Sequence, residues 1–386
     1  MKKCVTISLG LLLAFSATSQ RCWAQVKFDG GGDGVSFLDG ANWNPDGVPN
    51  DPDPLNSGGP RFAINDNAVV SYATSAITFV EGLAVGADAP IASGDFGTPG
   101  TLNMSAGKLV VTGGGDSFQV ARACCGGTGV INLTGDAVLE IQGSDPGVGT
   151  RDRGELNIGP NASVISTRPG GGYWRIGNYG PAIDASGSTP NGLEGNGLLN
   201  VEGSFSAHVI FLGATDGDGE LRVSGNGSVI LTDNLVPNIN TDQPNRSALV
   251  HMIGSTATLN AVNLESANGL SQVHNEFEFS ADLGGVSEIK LSNAMNITNN
   301  DLTVNLNNFV LGIGGTERLF DAAPNQIYGS FASWAVNGGD PAFQYQLLYD
   351  LAAGDVLLQR IPEPSALALF GIVAIGAVYG QRRLLR

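Results

Sequence analysis

The sequence predicts an all-β chain: a right-handed parallel β-helix, or β-solenoid, with capping segments and a single apolar helix at the C-terminus. Three observations predict it. A five-residue cassette recurs five times, as GTLNM at 100–104, GVINL at 129–133, GELNI at 154–158, GLLNV at 197–201 and GELRV at 219–223. A second short cassette precedes several of these copies. Between residues 25 and 360 no stretch carries a helical period, and the chain's 56 glycines are about double the usual share.

In the first cassette, apolar residues two apart flank a polar one, the period of a half-buried strand. The second cassette reads LAVG at 83–86, FQVA at 118–121, WRIG at 174–177 and IFLG at 210–213: a short strand, then a small residue at a corner. Hairpins of a sandwich would not repeat the same residue types at matched positions, whereas stacked coils do. Leu102, Ile131, Leu156, Leu199 and Leu221 are therefore expected in one interior stack. Asn103, Asn132, Asn157 and Asn200 are expected in a neighbouring ladder of hydrogen-bonded amides. The cassette glycines lie 29, 25, 43 and 22 residues apart. The added length falls at 87–99 and 178–196, which read as loops leaving one edge of the solenoid, where binding specificity would sit.

Taken in chain order, residues 1–24 combine Lys2 and Lys3, an apolar run at 5–15 and a small residue, Ala24, at the cut: a secretory signal peptide. The run is too short to span a bilayer, for which about 20 residues are needed. Residues 25–75 read as an N-terminal cap with a strand over 63–72. Residues 76–274 hold the solenoid repeats. Residues 275–360 read as terminal coils and a cap, with strands at 277–279, 302–306, 310–313, 344–349 and 355–358. Solenoid ends need such atypical segments because they expose unpaired strands.

Residues 361–386 form the last element. Ile361, Pro362, Glu363, Pro364 and Ser365 precede fifteen apolar residues at 366–380, about 22 Å as a helix. Arg382, Arg383 and Arg386 close the chain and would hold its end in the cytoplasm. The body then sits across the membrane, as the signal peptide also requires. This tail resembles the PEP-CTERM sorting signal of Gram-negative bacteria at Pro362, Glu363 and Pro364, the helix and the basic end. The resemblance covers about 25 residues. It implies recognition by an exosortase, a membrane-embedded processing enzyme, removal of the helix, and delivery to the cell surface or extracellular polymer matrix. Pro362 and Pro364 favour the extended backbone such an enzyme would thread. The body is similar to autotransporter-type passenger regions in its WNPDGVP opening at 43–49 and its Gly-x-Leu-Asn-Val coils.

Composition narrows the partners. Without residues 1–24 and 362–386 the chain keeps 13 basic and 35 acidic residues, a net of −22. Such a surface repels phosphate backbones, so nucleic acid is excluded as the expected partner. Extracellular polysaccharide remains. Cys124 and Cys125 are the only cysteines left after the signal peptide; adjacent cysteines close only a strained ring, so free or intermolecularly paired thiols are expected.

Catalysis is not expected. Polysaccharide lyases of this shape need clustered carboxylates with a nearby Lys or Arg, and Lys27, Lys108 and Lys290 fall outside any cluster in the sequence. Arg151, Asp152 and Arg153 read as a solvated turn. His208, His251 and His274 lack metal-ligand spacing, and no nucleophile elbow occurs. No metal site is assigned. Calcium stays as the alternative at Asp216, Asp218 and Glu220, and at Asp29, Asp33, Asp51 and Asp53, although Asp serves turns for its own hydrogen-bonding reasons. The expected function is a non-catalytic structural or adhesive protein of the envelope or matrix. The alternative is a glycan-binding or polysaccharide-degrading β-helix with loops 87–99 and 178–196 forming its groove.

Overall fold

The computed structural model describes residues 25–49, 61–86, 98–115, 117–122, 127–143, 145–150, 152–168, 172–178, 195–214, 217–237, 247–265, 274–307, 309–339 and 343–362. The signal peptide, Cys124, Cys125 and residues 363–386 lie outside them. Among the described residues no helix is long and apolar enough to cross a membrane.

The chain is all-β and winds as a solenoid of three-strand coils. One coil runs Arg153–Ile158, Ser163–Ser166, Tyr173–Asn178 and the next Asn196–Val201, Ser204–Ala207, Val209–Ala214. Each strand pairs in parallel with its counterparts one coil before and after. The long first strands form face 1, the second strands face 2 and the third strands face 3. Faces 1 and 2 belong to one 19-stranded sheet, made continuous by Ala68–Val80 and Gly100–Val111; face 3 lies in a 12-stranded sheet.

Register follows the cassettes. Leu102 pairs with Ile131, Ile131 with Leu156, Leu156 with Leu199, and Leu199 with Leu221, and all five are buried. Asn103, Asn132, Asn157 and Asn200 stack beside them on the outside. Asn132 Nδ2 donates to Asn103 Oδ1 at 2.9 Å, and Asn157 Nδ2 to Asn132 Oδ1 at 2.9 Å. The Oδ1 of Asn200 is buried without a hydrogen-bond partner.

The corner after face 3 has a backbone reason. Gly86, Gly149, Gly177 and Gly213 hold φ between +61° and +68°, which glycine adopts without strain. Ala121 takes the same place at φ +55°. Turns between faces 1 and 2 use Gly135, Asn161 and Gly225, also at positive φ.

At the N-terminal end, Trp43–Asn44 pairs antiparallel with Gln25–Phe28, and Trp43 packs edge-on against Phe28, Phe37 and Phe62 at 5.1–5.2 Å between ring centroids. The strand expected over 63–72 is two strands, Arg61–Ile64 on face 3 and Ala68–Val80 on faces 1 and 2. Asp66 and Asn67, at φ +55° and +63°, turn the chain between them. Parallel pairing runs from Gln25–Phe28 with Arg61–Ile64 to Asn300–Asn305 with Ser333–Asn337. The strand expected at 310–313 is absent: the segment is irregular, with Val310 and Ile313 exposed and Gly314 at φ +73°. The described residues end with an antiparallel hairpin, Phe343–Asp350 and Asp355–Pro362, whose second strand covers Thr316–Asp321. An antiparallel cover ends a parallel ladder that would otherwise present an open edge.

Candidate functional site

Alternate residues of a strand point to opposite sides, so the cassette places its glycine, third and fifth residues inward. The residue before the glycine and the second and fourth residues point outward. Four adjacent face 1 strands thereby line an outer groove of about 330 Å³ with Arg153, Glu155, Asn196, Leu198, Asp218, Glu220, Ser247 and Leu249. Glu155 pairs with Leu198, Leu198 with Glu220, and Glu220 with Leu249. Acid and leucine thus alternate along the solenoid axis at the strand spacing, about 4.8 Å.

Two arginine forks shape this floor. Arg153 donates from Nε and Nη2 to Glu155 Oε1 at 3.0 and 2.7 Å. Arg222 donates from the same two nitrogens to Glu220 Oε1 at 3.0 and 2.6 Å. Asp218 Oδ1 accepts from the Ser247 N–H at 2.7 Å. Beside Arg222, His251 is 3.0 Å from Ser280 Oγ and 3.6 Å from Glu278 Oε1. Burial, reinforced by the charge of Arg222, holds its pKa below the ordinary imidazole value against the pull of Glu278, Glu220 and Glu276.

Several sequence expectations are corrected by stacking. Arg151 lies outside the described residues. Arg153 is exposed and opens a strand, but Asp152 is 2% exposed, so these two residues do not form a solvated turn. Lys290 does stand among charges: it pairs with Glu288 at 2.6 Å, which Arg318 also holds at 2.7 Å while reaching towards Asp321 and Asp355. Glu288 and Arg318 lie 30 residues apart and meet because coils superpose, whereas Lys290 reaches Glu288 along its own strand. Lys108 likewise pairs with Glu140 across adjacent strands. Burial raises the Glu140 pKa, yet hydrogen bonds from Lys108, Gln142 and Thr167 outweigh it and hold the carboxyl below its usual range. Lys27 pairs with Asp66.

The calcium candidates are engaged otherwise. Asp29 Oδ1 accepts from the Gly31 N–H, and Asp33 Oδ1 accepts from the Val35 and Ser36 N–H groups and from Asn42 Nδ2. Those bonds, the Ser36 N–H foremost, lower the Asp33 pKa. Asp51, Asp53 and Asp216 lie outside the described residues, as do 87–97 and 179–194 of the expected edge loops. Among the described residues no group of three or more His, Cys, Asp or Glu could hold a metal ion. His208 bonds Thr232 Oγ1 at 2.9 Å, and His274 opens a face 1 strand.

Of the sorting-motif residues, Pro362 closes the last strand, paired with Phe343. Glu363, Pro364, Arg382, Arg383 and Arg386 lie outside the described residues. The groove itself was missed from sequence, although the outward positions of the cassettes name most of its residues. No family model, no curated protein and no solved structure matches this chain.

Proposed function

We propose that the chain is a secreted, surface-sorted, non-catalytic structural or adhesive protein of the cell envelope or extracellular polymer matrix. Its coils wind right-handed, as parallel strand crossovers do. The signal peptide exports the body, and the apolar helix of the tail anchors it transiently in the inner membrane. An exosortase-type enzyme then acts at Pro362, Glu363 and Pro364, as the PEP-CTERM resemblance implies. The observation that carries the role is the long parallel ladder, with one antiparallel strand on face 3 of its first coil and another on face 2 of its last. That architecture makes a stiff rod with a long outer surface, which suits a scaffold.

A second reading, a glycan-binding or polysaccharide-degrading β-helix, is favoured by the face 1 groove. The binding half of it fits better than the degrading half. Each groove glutamate is already held by an arginine through Oε1, so neither stands as the unpaired acid or base that glycoside hydrolysis uses.

Cell fractionation tests the proposal. Deleting residues 362–386, or replacing Pro362, Glu363 and Pro364 with alanine, should shift the chain from the surface fraction to the periplasm or membrane. Unchanged surface recovery of both variants would overturn it.

A further inference from the structure

We propose that the face 1 groove binds an uncharged, hydroxyl-rich, β-linked polysaccharide lying along the solenoid axis, with Glu155, Leu198, Glu220 and Leu249 as its floor. The inference rests on the adhesive reading and gives it a ligand class.

Hydrogen-bonding capacity points first to hydroxyls. Each arginine fork occupies one carboxylate oxygen through Nε and Nη2. The second oxygen, Oε2, is left as an acceptor, and the arginine Nη1, on the far edge of the guanidinium, as a donor. A hydroxyl both donates and accepts, so neighbouring hydroxyls of a sugar ring match that pairing. The fork also fixes both groups in advance, which lowers the ordering cost of binding.

Leu198 and Leu249, half-buried in the floor, offer apolar ledges to the C–H face of a ring. The alternation of acid and leucine repeats every second strand, about 9.6 Å. A β-linked chain whose successive rings turn over presents the same edge at every second ring, so its period has the same form.

Charge and topology dispose of the competitors. The chain carries a net charge of −17, which repels polyanions. The groove's carboxylates are largely matched by Arg153 and Arg222, which weakens its pull on polycations. An extended peptide adds to a sheet edge, whereas the strands here are paired on both sides.

The test is affinity electrophoresis of the full-length chain through gels holding a soluble mixed-linkage β-glucan, an α-linked dextran or polygalacturonate. Retardation is expected in the β-glucan, with at least tenfold weaker retardation in the other two. Leu198→Asp and Leu249→Asp should each weaken β-glucan binding about tenfold or more. Glu220→Gln, which keeps the shape of the side chain, should weaken it about fivefold. Ile230→Asp, at an exposed face 2 position, should leave it unchanged. No retardation in β-glucan, equal retardation in dextran or polygalacturonate, or wild-type binding by folded Leu198→Asp and Glu220→Gln would overturn the site. A chain that reaches the surface but binds no β-glucan overturns this inference alone. A chain that binds but no longer depends on its tail for sorting overturns the proposed function alone.

Discussion

The earlier and later coils of the solenoid solve the same corner in different ways. From residue 100 to 219 the first inward place of face 1 is always glycine: Gly100, Gly129, Gly154, Gly197 and Gly219. In the following coils the same place holds Ala248, Asn275 and Asn300. In the earlier region the positive-φ corner of face 3 runs directly beneath that row. A Cβ at Gly154 would lie 2.1 Å from Gly149 N, and one at Gly197 would lie 2.2 Å from Gly177 N. Two rows of glycine let two backbones touch.

In the later region the third strands include Asn263–Leu264 and Met295–Asn296, no shorter than Gly147–Val148 among the earlier coils. The place that glycine fills in the earlier coils is taken there by buried amides, and Asn275 Nδ2 donates to Asn300 Oδ1 at 2.9 Å. The interior there holds Phe277, Phe279, Phe320 and Phe331, at 5.3–6.3 Å between centroids. The comparison shows that register is common to the whole stack, while the cross-section is set locally by how closely the corner approaches face 1.

The largest effect should come from grafting one solution onto the other. Gly197→Asn places a side chain into backbone 2.2–2.3 Å away and should cost about 4 kcal/mol or more, as overpacking against backbone does when nothing can yield. Denaturant unfolding measures it; a cost under about 1 kcal/mol would break the close-approach account. The reverse graft, Asn275→Gly, removes one partner of a buried amide pair and should cost about 1–3 kcal/mol, read by the same titration. Equal losses at the two sites would mean that the corners do not differ as described.

A smaller effect sharpens the contrast between corner and outer surface. Glu140 on face 2 is held as a carboxylate by Lys108, Gln142 and Thr167, and its pKa is lowered in the folded chain. A lowered folded pKa contributes stability above the unfolded value and loses it as pH falls through the folded one. Glu140→Gln should therefore cost about 1–2 kcal/mol at neutral pH. The gap in melting temperature from wild type should narrow as pH drops below about 4.3, the ordinary carboxylate value. A gap that stays constant from pH 7 to pH 3 would remove the ion pair as its cause.

Legibility followed chemistry that repeats. The interior stack of Leu102, Ile131, Leu156, Leu199 and Leu221 and the amide ladder beside it could be read because every coil needs the same residue in the same place. Gly147–Val148, a third strand of only two residues, was passed over because so short a run carries no period of its own. The strand expected at 310–313 failed for the opposite reason: its apolar residues belong to an irregular, glycine-broken crossing. The groove was hidden because the Arg153–Glu155 pair, Leu198 and Glu220 look unremarkable in separate cassettes and become neighbours only when the cassettes superpose.

Local order was therefore settled by the amino-acid sequence alone: short strands, small residues at the bends, and an inward row of leucine and isoleucine. These follow from side-chain alternation and backbone dihedral limits, which act between near neighbours in the chain. Which outward side chains meet across coils was decided only by the tertiary structure, and with it the groove, the Lys108–Glu140 pair and the change at the inward corner place after Gly219. Those contacts depend on which coil lies over which, and parallel pairing fixes that through hydrogen bonds along the stack.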